Sequence, residues 1–223
     1  QYLYPMVAAI WSAPDVAVDA FPMLTFARFF HNHGLLTLFD HPQWYYVVGG
    51  SQSYVRAFMN QFPGTVHTDR AINTIERSET GVTVHTADGD QHAFDAVVIA
   101  THADEALKLL ADPTRDEKRL LGPWRYSINH TVLHTDRRWM PSNHHAWASW
   151  NVIRSKTATD QSPVTLTYHM NRLQCIKTET DYLVTLNPHT PIAQHHIIEQ
   201  FNYTHPIYTF ESLATQAALP RLN

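Results

Sequence analysis

Sixteen histidines are the largest stock of reactive side chains in this 223-residue chain, and three of their groupings could bring ligand nitrogens together. His31-x-His33, His144-His145 and His195-His196 could each offer neutral imidazole to zinc or iron. None of these three pairs has the interval that sets two rings on one helical face, and no glutamate joins them in a zincin pattern. We therefore expect no metal site, with surface or hydrogen-bonded histidines instead. A serine-hydrolase reading lacks its Gly-x-Ser-x-Gly elbow. Cys175, the single cysteine, excludes an intramolecular disulfide and reads as a packed small hydrophobe rather than a nucleophile. A second group is aromatic: Trp44, Tyr45 and Tyr46 just before Gly49-Gly50, then Trp147, Trp150, Tyr168 and His169. Such residues either fill a core or line an apolar pocket.

The elements that must position these residues are legible from periodicity. Between Ala71 and Leu110, Ile72, Ile75 and Val82–Thr86 lead to Asp88-Gly89, which predicts a tight type I′ hairpin turn back through Gln91–Phe94. The apolar run 96–100 then fits a strand buried on both faces, as in a helix-covered parallel sheet. Ligands favour the carboxyl ends of such strands, where the small Ala100 and Thr101 would allow close approach. Leu107, Leu109 and Leu110 continue as a helix.

Residues 1–62 are expected to be mainly helical. Met6, Ile10 and Trp11 share a face, Phe21-Pro22 starts a helix through Phe26, Phe29 and Phe30, and Gly34 ends it. Ser51 should cap a helix over Gln52–Asn60. From Ser127 onward, Thr131–His134, Ala146–Asn151, Val164–Met170 and Tyr182–Leu186 predict strands of a largely antiparallel sheet with one buried side. The expected class is α+β.

Composition narrows the partners. A net charge of −4 with scattered Lys and Arg gives no nucleic-acid footprint. No apolar stretch approaches the ~20 residues that a spanning helix needs, and the amino end shows no secretory signal.

Several stretches resemble one family. They include Tyr4-Pro5-Met6, Ala9-Ile10-Trp11-Ser12, Phe29-Phe30-His31-Asn32-His33-Gly34, Pro42-Gln43-Trp44 and Gly49-Gly50-Ser51, besides the 71–110 segment. Leu133-His134-Thr135-Asp136, Ala146–Asn151, Tyr168-His169-Met170-Asn171 and Val184–Pro188 continue the likeness over nearly the whole chain. The sequence resembles the flavin-containing amine oxidase-like oxidoreductases, in a subgroup of predicted NAD/FAD-binding proteins.

The resemblance implies three regions: a helical part of a substrate domain (1–62), a partial FAD-binding segment (63–112) and an antiparallel-sheet part of the substrate domain (113–223). It implies FAD as cofactor, with Ile72, Ala100 and Thr101 in contact with it. It also implies hydride transfer from a substrate C–H bond, in a reducing cytoplasm. Trp44, Trp147, Trp150, Tyr168 and His169 would line the substrate pocket, and an apolar or lipid-like substrate is expected rather than an amine. The residues that carry the chemistry are not assigned. No Gly-x-Gly-x-x-Gly motif occurs, so the chain reads as a central fragment, inactive in isolation. The alternative is a non-catalytic binding or structural fragment, which would pair with itself or with a completing partner chain.

Overall fold

The computed structural model describes residues 6–7, 10–11, 21–37, 39–153 and 164–222. Tyr4, Pro5, Ala9 and Ser12 lie outside the described residues. The fold is α+β and divides into two units: Gln1–Gln61 with Tyr126–Ile207, and Phe62–Arg125 with Tyr208–Asn223.

In the first unit, helix α1 spans Met23–Asn32 and helix α2 spans Gln52–Met59. Pro22 leads into α1, where its fixed φ suits a helix start. The helix ends in a Schellman arrangement: Leu35 N–H donates to Phe30 O at 2.8 Å and Gly34 N–H to His31 O at 3.1 Å. Gly34 takes φ +65°, and a Cβ there would lie 2.5 Å from Pro42 Cδ. Phe26 packs with a tilted ring against Phe30, the buried anchor of α1. Ser51 is not the cap that the sequence suggests, because its backbone is already helical and its hydroxyl caps nothing. Gly49 and Gly50, at φ +82° and +79°, turn the chain early, and Ser53 Oγ donates to Gly50 O at 2.6 Å instead.

The rest of this unit is a five-stranded sheet in the order β5-β6-β7-β4-β8. Its strands are β4 Arg125–His134, β5 Trp150–Ile153, β6 Thr165–His169, β7 Leu183–Leu186 and β8 Ile197–Ile207. Ladders β5·β6, β6·β7 and β7·β4 are antiparallel. Val132, Trp139 and Ile192 form its core cluster, flanked by Ile153 and Ile197. The expectation of one buried side needs correction. Thr165 and Thr167, on the polar face of β6, are buried like Leu166 beside them. Burial of that face is tolerated because its hydroxyls are hydrogen-bonded: Thr165 Oγ1 to Asn187 O at 2.6 Å, Thr167 Oγ1 to Thr185 Oγ1 at 2.8 Å.

The second unit holds a three-stranded antiparallel meander: β1 Ile72–Ser78, β2 Gly81–Thr86 and β3 Gln91–Phe94. Helices α3 Ala103–Leu109 and α4 Arg115–Leu121 follow. The Asp88-Gly89 hairpin forms, but not with a type I′ turn. Only Gly89, at φ +95°, is left-handed, and its N–H closes a turn onto Thr86 O at 3.1 Å. The loop is thus longer than two residues, which relieves Asp88 of the strained conformation. Thr114 caps α4 reciprocally with Glu117, and Arg77 of β1 donates to Glu117 Oε1 at 2.6 Å. That ion pair holds the Glu117 carboxyl below its usual range.

The run 96–100 joins no ladder, and Val98 is 90% exposed. A parallel strand is buried only when neighbours flank it, and no described strand of this chain lies beside these residues. The expectation of a doubly buried strand is corrected accordingly. Cys175 is exposed at φ +50° rather than packed, because the left-handed turn after the short helix α5, Met170–Leu173, directs it outward. The thiol raises the pKa of its neighbour Tyr46 by hydrogen bonding. No described helix is long and apolar enough to cross a membrane.

Candidate functional site

Strand register sorts the side chains of the first unit. Opposed residues share a face and successive residues alternate, so two rows run across β5, β6, β7 and β4. One is Trp150, Tyr168, Val184 and Leu133, and the next is Val152, Leu166, Leu186 and Thr131. None of the eight residues is charged. Trp150 and Tyr168 meet edge to face at 5.2 Å between ring centroids, a favourable aromatic geometry, and Trp150 remains 46% exposed. Burial raises the Tyr168 phenol, so it stays a neutral O–H at ordinary pH.

The opposite face carries the Val132 and Ile153 side of the core and, among it, a buried polar chain. His134 is fully buried, and its Nδ1 accepts the Asp136 amide N–H at 3.1 Å. An amide only donates, so Nδ1 is unprotonated and Nε2–H donates to Thr185 Oγ1 at 2.7 Å. Thr185 in turn meets Thr167, giving a polar chain across three adjacent strands. Burial pushes the His134 imidazole down to about 4; Asp136 opposes this and His196 adds to it.

On the same side, His169 Nε2 lies 2.9 Å from Asp181 Oδ1, and Arg137 Nε binds Asp181 Oδ2 at 2.6 Å. Buried His169 Nδ1 has no protein partner. Trp147 sets its edge against His169 at 5.3 Å, stacks on His144 at 3.7 Å and donates Nε1–H to Pro141 O at 2.7 Å. A groove of about 490 Å³ beside this network is lined by Asp136, Arg137, Arg138, Glu179, Asp181 and His196 among others. Arg138 grips Asp136 with both ends of its fork and holds that carboxyl below its usual range.

The structure therefore groups the expected pocket residues in two pairs, Trp150 with Tyr168 on the apolar face and Trp147 with His169 behind it. Trp44, 65% exposed, lies with His33 at a ring separation of 6.2 Å. In the second unit, Ile72 starts β1 at a β-bulge against β2 and is 38% exposed. Ala100 and Thr101 are exposed at the end of the run 96–100, directly ahead of α3. Sequence reasoning missed His134, Asp181 and Arg137. The signal for the first was present, since Thr165, Thr167 and Thr185 alternate with apolar residues on strands that flank it. One His-x-x-x-His interval does occur, His130 to His134, but it lies in a strand where His130 pairs with Gln200. Among the described residues, no group of three or more metal-ligating side chains forms.

Parts of this chain are similar to known proteins. A CLA-producing fatty acid isomerase from P. acnes aligns with 15% identity over 70% of this chain and 40% of its own, at a TM-score of 0.47. A putrescine oxidase bound to putrescine aligns with 9% identity over 77% of this chain and 44% of its own, at 0.49. The chain thus spans less than half the length of either solved structure. No curated protein matches it. The profile named flavin containing amine oxidoreductase matches residues 7–174, about three quarters of the chain, taking in most of the five-stranded sheet and the whole meander. With that span matched, this α+β chain belongs to the flavin containing amine oxidoreductase family.

Proposed function

We propose that this chain is part of an FAD-dependent oxidoreductase, furnishing the substrate-side sheet and a portion of the cofactor contact. The family match over residues 7–174 carries this reading. Ile72 at its bulge and the open backbone at Ala100 and Thr101 suit the adenosine end of a dinucleotide, where small or half-exposed residues admit close approach. The chain has no Gly-x-Gly-x-x-Gly turn, so amides for the pyrophosphate are not part of the donor set offered here. A bound flavin would supply the acceptor for hydride from a substrate C–H bond. This chain binds and orients the substrate along the Trp150–Tyr168 face and excludes water with its apolar rows. Trp147 and His169, held by Asp181 and Arg137, back that wall, and Trp44 contributes to the pocket. The substrate is apolar, and the location is cytoplasmic.

The test is an absorbance scan from 300 to 550 nm after adding FAD and desalting. Retained flavin bands are expected; a colourless protein would reject cofactor contact by this chain. A second reading is favoured by the unpaired backbone of 96–100 and by Tyr54, Val55 and Phe58 exposed on α2. On it, the chain is a non-catalytic binding or structural piece that associates with itself or with a completing partner. Sedimentation separates the two, since a flavin-free dimer supports the second and a yellow monomer the first.

A further inference from the structure

In the groove of about 490 Å³ in the first unit, acids are buried and guanidinium groups are exposed. Asp136 and Asp181 have side chains only 2% and 14% exposed, whereas Arg138 and Arg137, which grip them, are 70% and 59% exposed. Arg138 gives Nε–H and Nη2–H to Asp136, while Arg137 sets Nε on Asp181 Oδ2 and donates Nη2–H to Glu179 O at 3.0 Å. Among the described residues, Nη1 of neither arginine has a partner. A guanidinium held along one edge keeps its remaining N–H groups in a set plane, so little side-chain freedom is left to lose when an acceptor arrives. His196 and Thr180 line the same groove. Thr135 Oγ1 meets His196 Nδ1 at 3.1 Å, which leaves Nε2 to donate when Nδ1 accepts, and the Thr180 hydroxyl is exposed. One group opposes these donors, the exposed Glu179 carboxylate, which has no partner among the described residues.

We propose that this groove binds a phosphate dianion, free or as a monoester, on the outer edges of Arg137 and Arg138. The two buried acids are compensated at short range, so a ligand meets two guanidinium groups against the one carboxylate of Glu179. Coulomb attraction grows with ligand charge, which favours the dianion over a carboxylate, and phosphate oxygens match the guanidinium fork. They also offer acceptors enough for His196 and Thr180 at the same time. An ammonium ion would find Glu179 alone, with both guanidinium groups repelling it. Because both arginines are more than half exposed, water and salt screen the attraction, and the affinity belongs in the range of about 1 mM. The inference goes beyond the flavin reading and does not rest on it.

The experiment titrates the whole chain with inorganic phosphate, phenyl phosphate, acetate and methylammonium at fixed ionic strength, and follows the amides of 135–138 and 179–181 by ¹H–¹⁵N NMR. Inorganic phosphate is expected to move these resonances saturably, and acetate to bind at least about five-fold more weakly. Glu179→Gln removes the opposing charge at an exposed side chain and should tighten phosphate about three-fold, a gain that a merely structural role would not produce. Arg137→Lys and Arg138→Lys keep a charge beside each acid but lose the outer edge, and each should weaken phosphate about ten-fold, the worth of one charge-assisted hydrogen bond. If a lysine variant fails to fold, Glu179→Gln still decides. Phenyl phosphate binding as tightly as inorganic phosphate supports an esterified ligand, and weaker binding supports the free ion. The proposal is overturned if phosphate moves these amides no more than acetate does, if methylammonium binds there as well as phosphate, or if Glu179→Gln does not tighten binding. None of these readouts involves flavin.

Discussion

His134 offers a direct check on the polar interior of the sheet. Its folded pKa of about 4 lies below the ordinary histidine value of 6.5, so between these values the unfolded chain binds a proton that the folded chain refuses. The resulting stabilisation is fully present above pH 6.5 and is lost as the pH falls toward 4. Protonating Nδ1 would also destroy its acceptance of the Asp136 amide. Linkage with these two values gives a loss of about 2 kcal/mol between pH 7 and pH 5, and about 3 kcal/mol over the whole window. The assay is urea unfolding followed by tryptophan fluorescence, run at both pH values on the native chain and on His134→Asn, whose amide oxygen can take the Asp136 N–H. The variant should be less stable at pH 7, yet lose about 2 kcal/mol less than the native chain on going to pH 5. All other titrating groups are common to both proteins and cancel in the comparison. Equal losses within about 0.5 kcal/mol would refute a buried neutral imidazole.

Other perturbations test the remaining supports. Thr185→Val removes the partner of both His134 and Thr167 and should cost about 1–3 kcal/mol in the same urea assay. Gly34→Ala places a Cβ at φ +65° against Pro42 and should destabilise by about 1–3 kcal/mol; an unchanged midpoint would mean that the α1 terminus relaxes freely. Arg77→Met leaves the largely buried Glu117 without its ion pair, so the protein should lose about 1–3 kcal/mol at pH 7, a difference from the native chain that shrinks as the pH falls through the lowered titration of that carboxyl. Ala100→Phe should lower the flavin retained after desalting at least ten-fold, and unaltered retention would remove Ala100 from the cofactor contact.

What the sequence determined by itself was local. Pro22 and Gly34 bound α1 because one fixes φ and the other accepts a left-handed turn, and both properties belong to single residues. Alternation in Val164–Met170 set β6 and its neighbours, since period two leaves no other extended arrangement of those side chains. The α+β class and the family followed from such local blocks. Tertiary structure decided what covers each face. Thr165, Thr167 and Thr185 look like solvent positions by alternation, yet they are buried because His134 and Asn187, distant in sequence, accept or supply their hydrogen bonds. The run 96–100 looks like a core strand by composition, yet stands exposed, because burial of a parallel strand depends on neighbours rather than on its own residues. Register alone placed Trp150 beside Tyr168, and put His169 behind them. A one-residue step in a strand reverses the face, and only the pairing of strands fixes which face looks where.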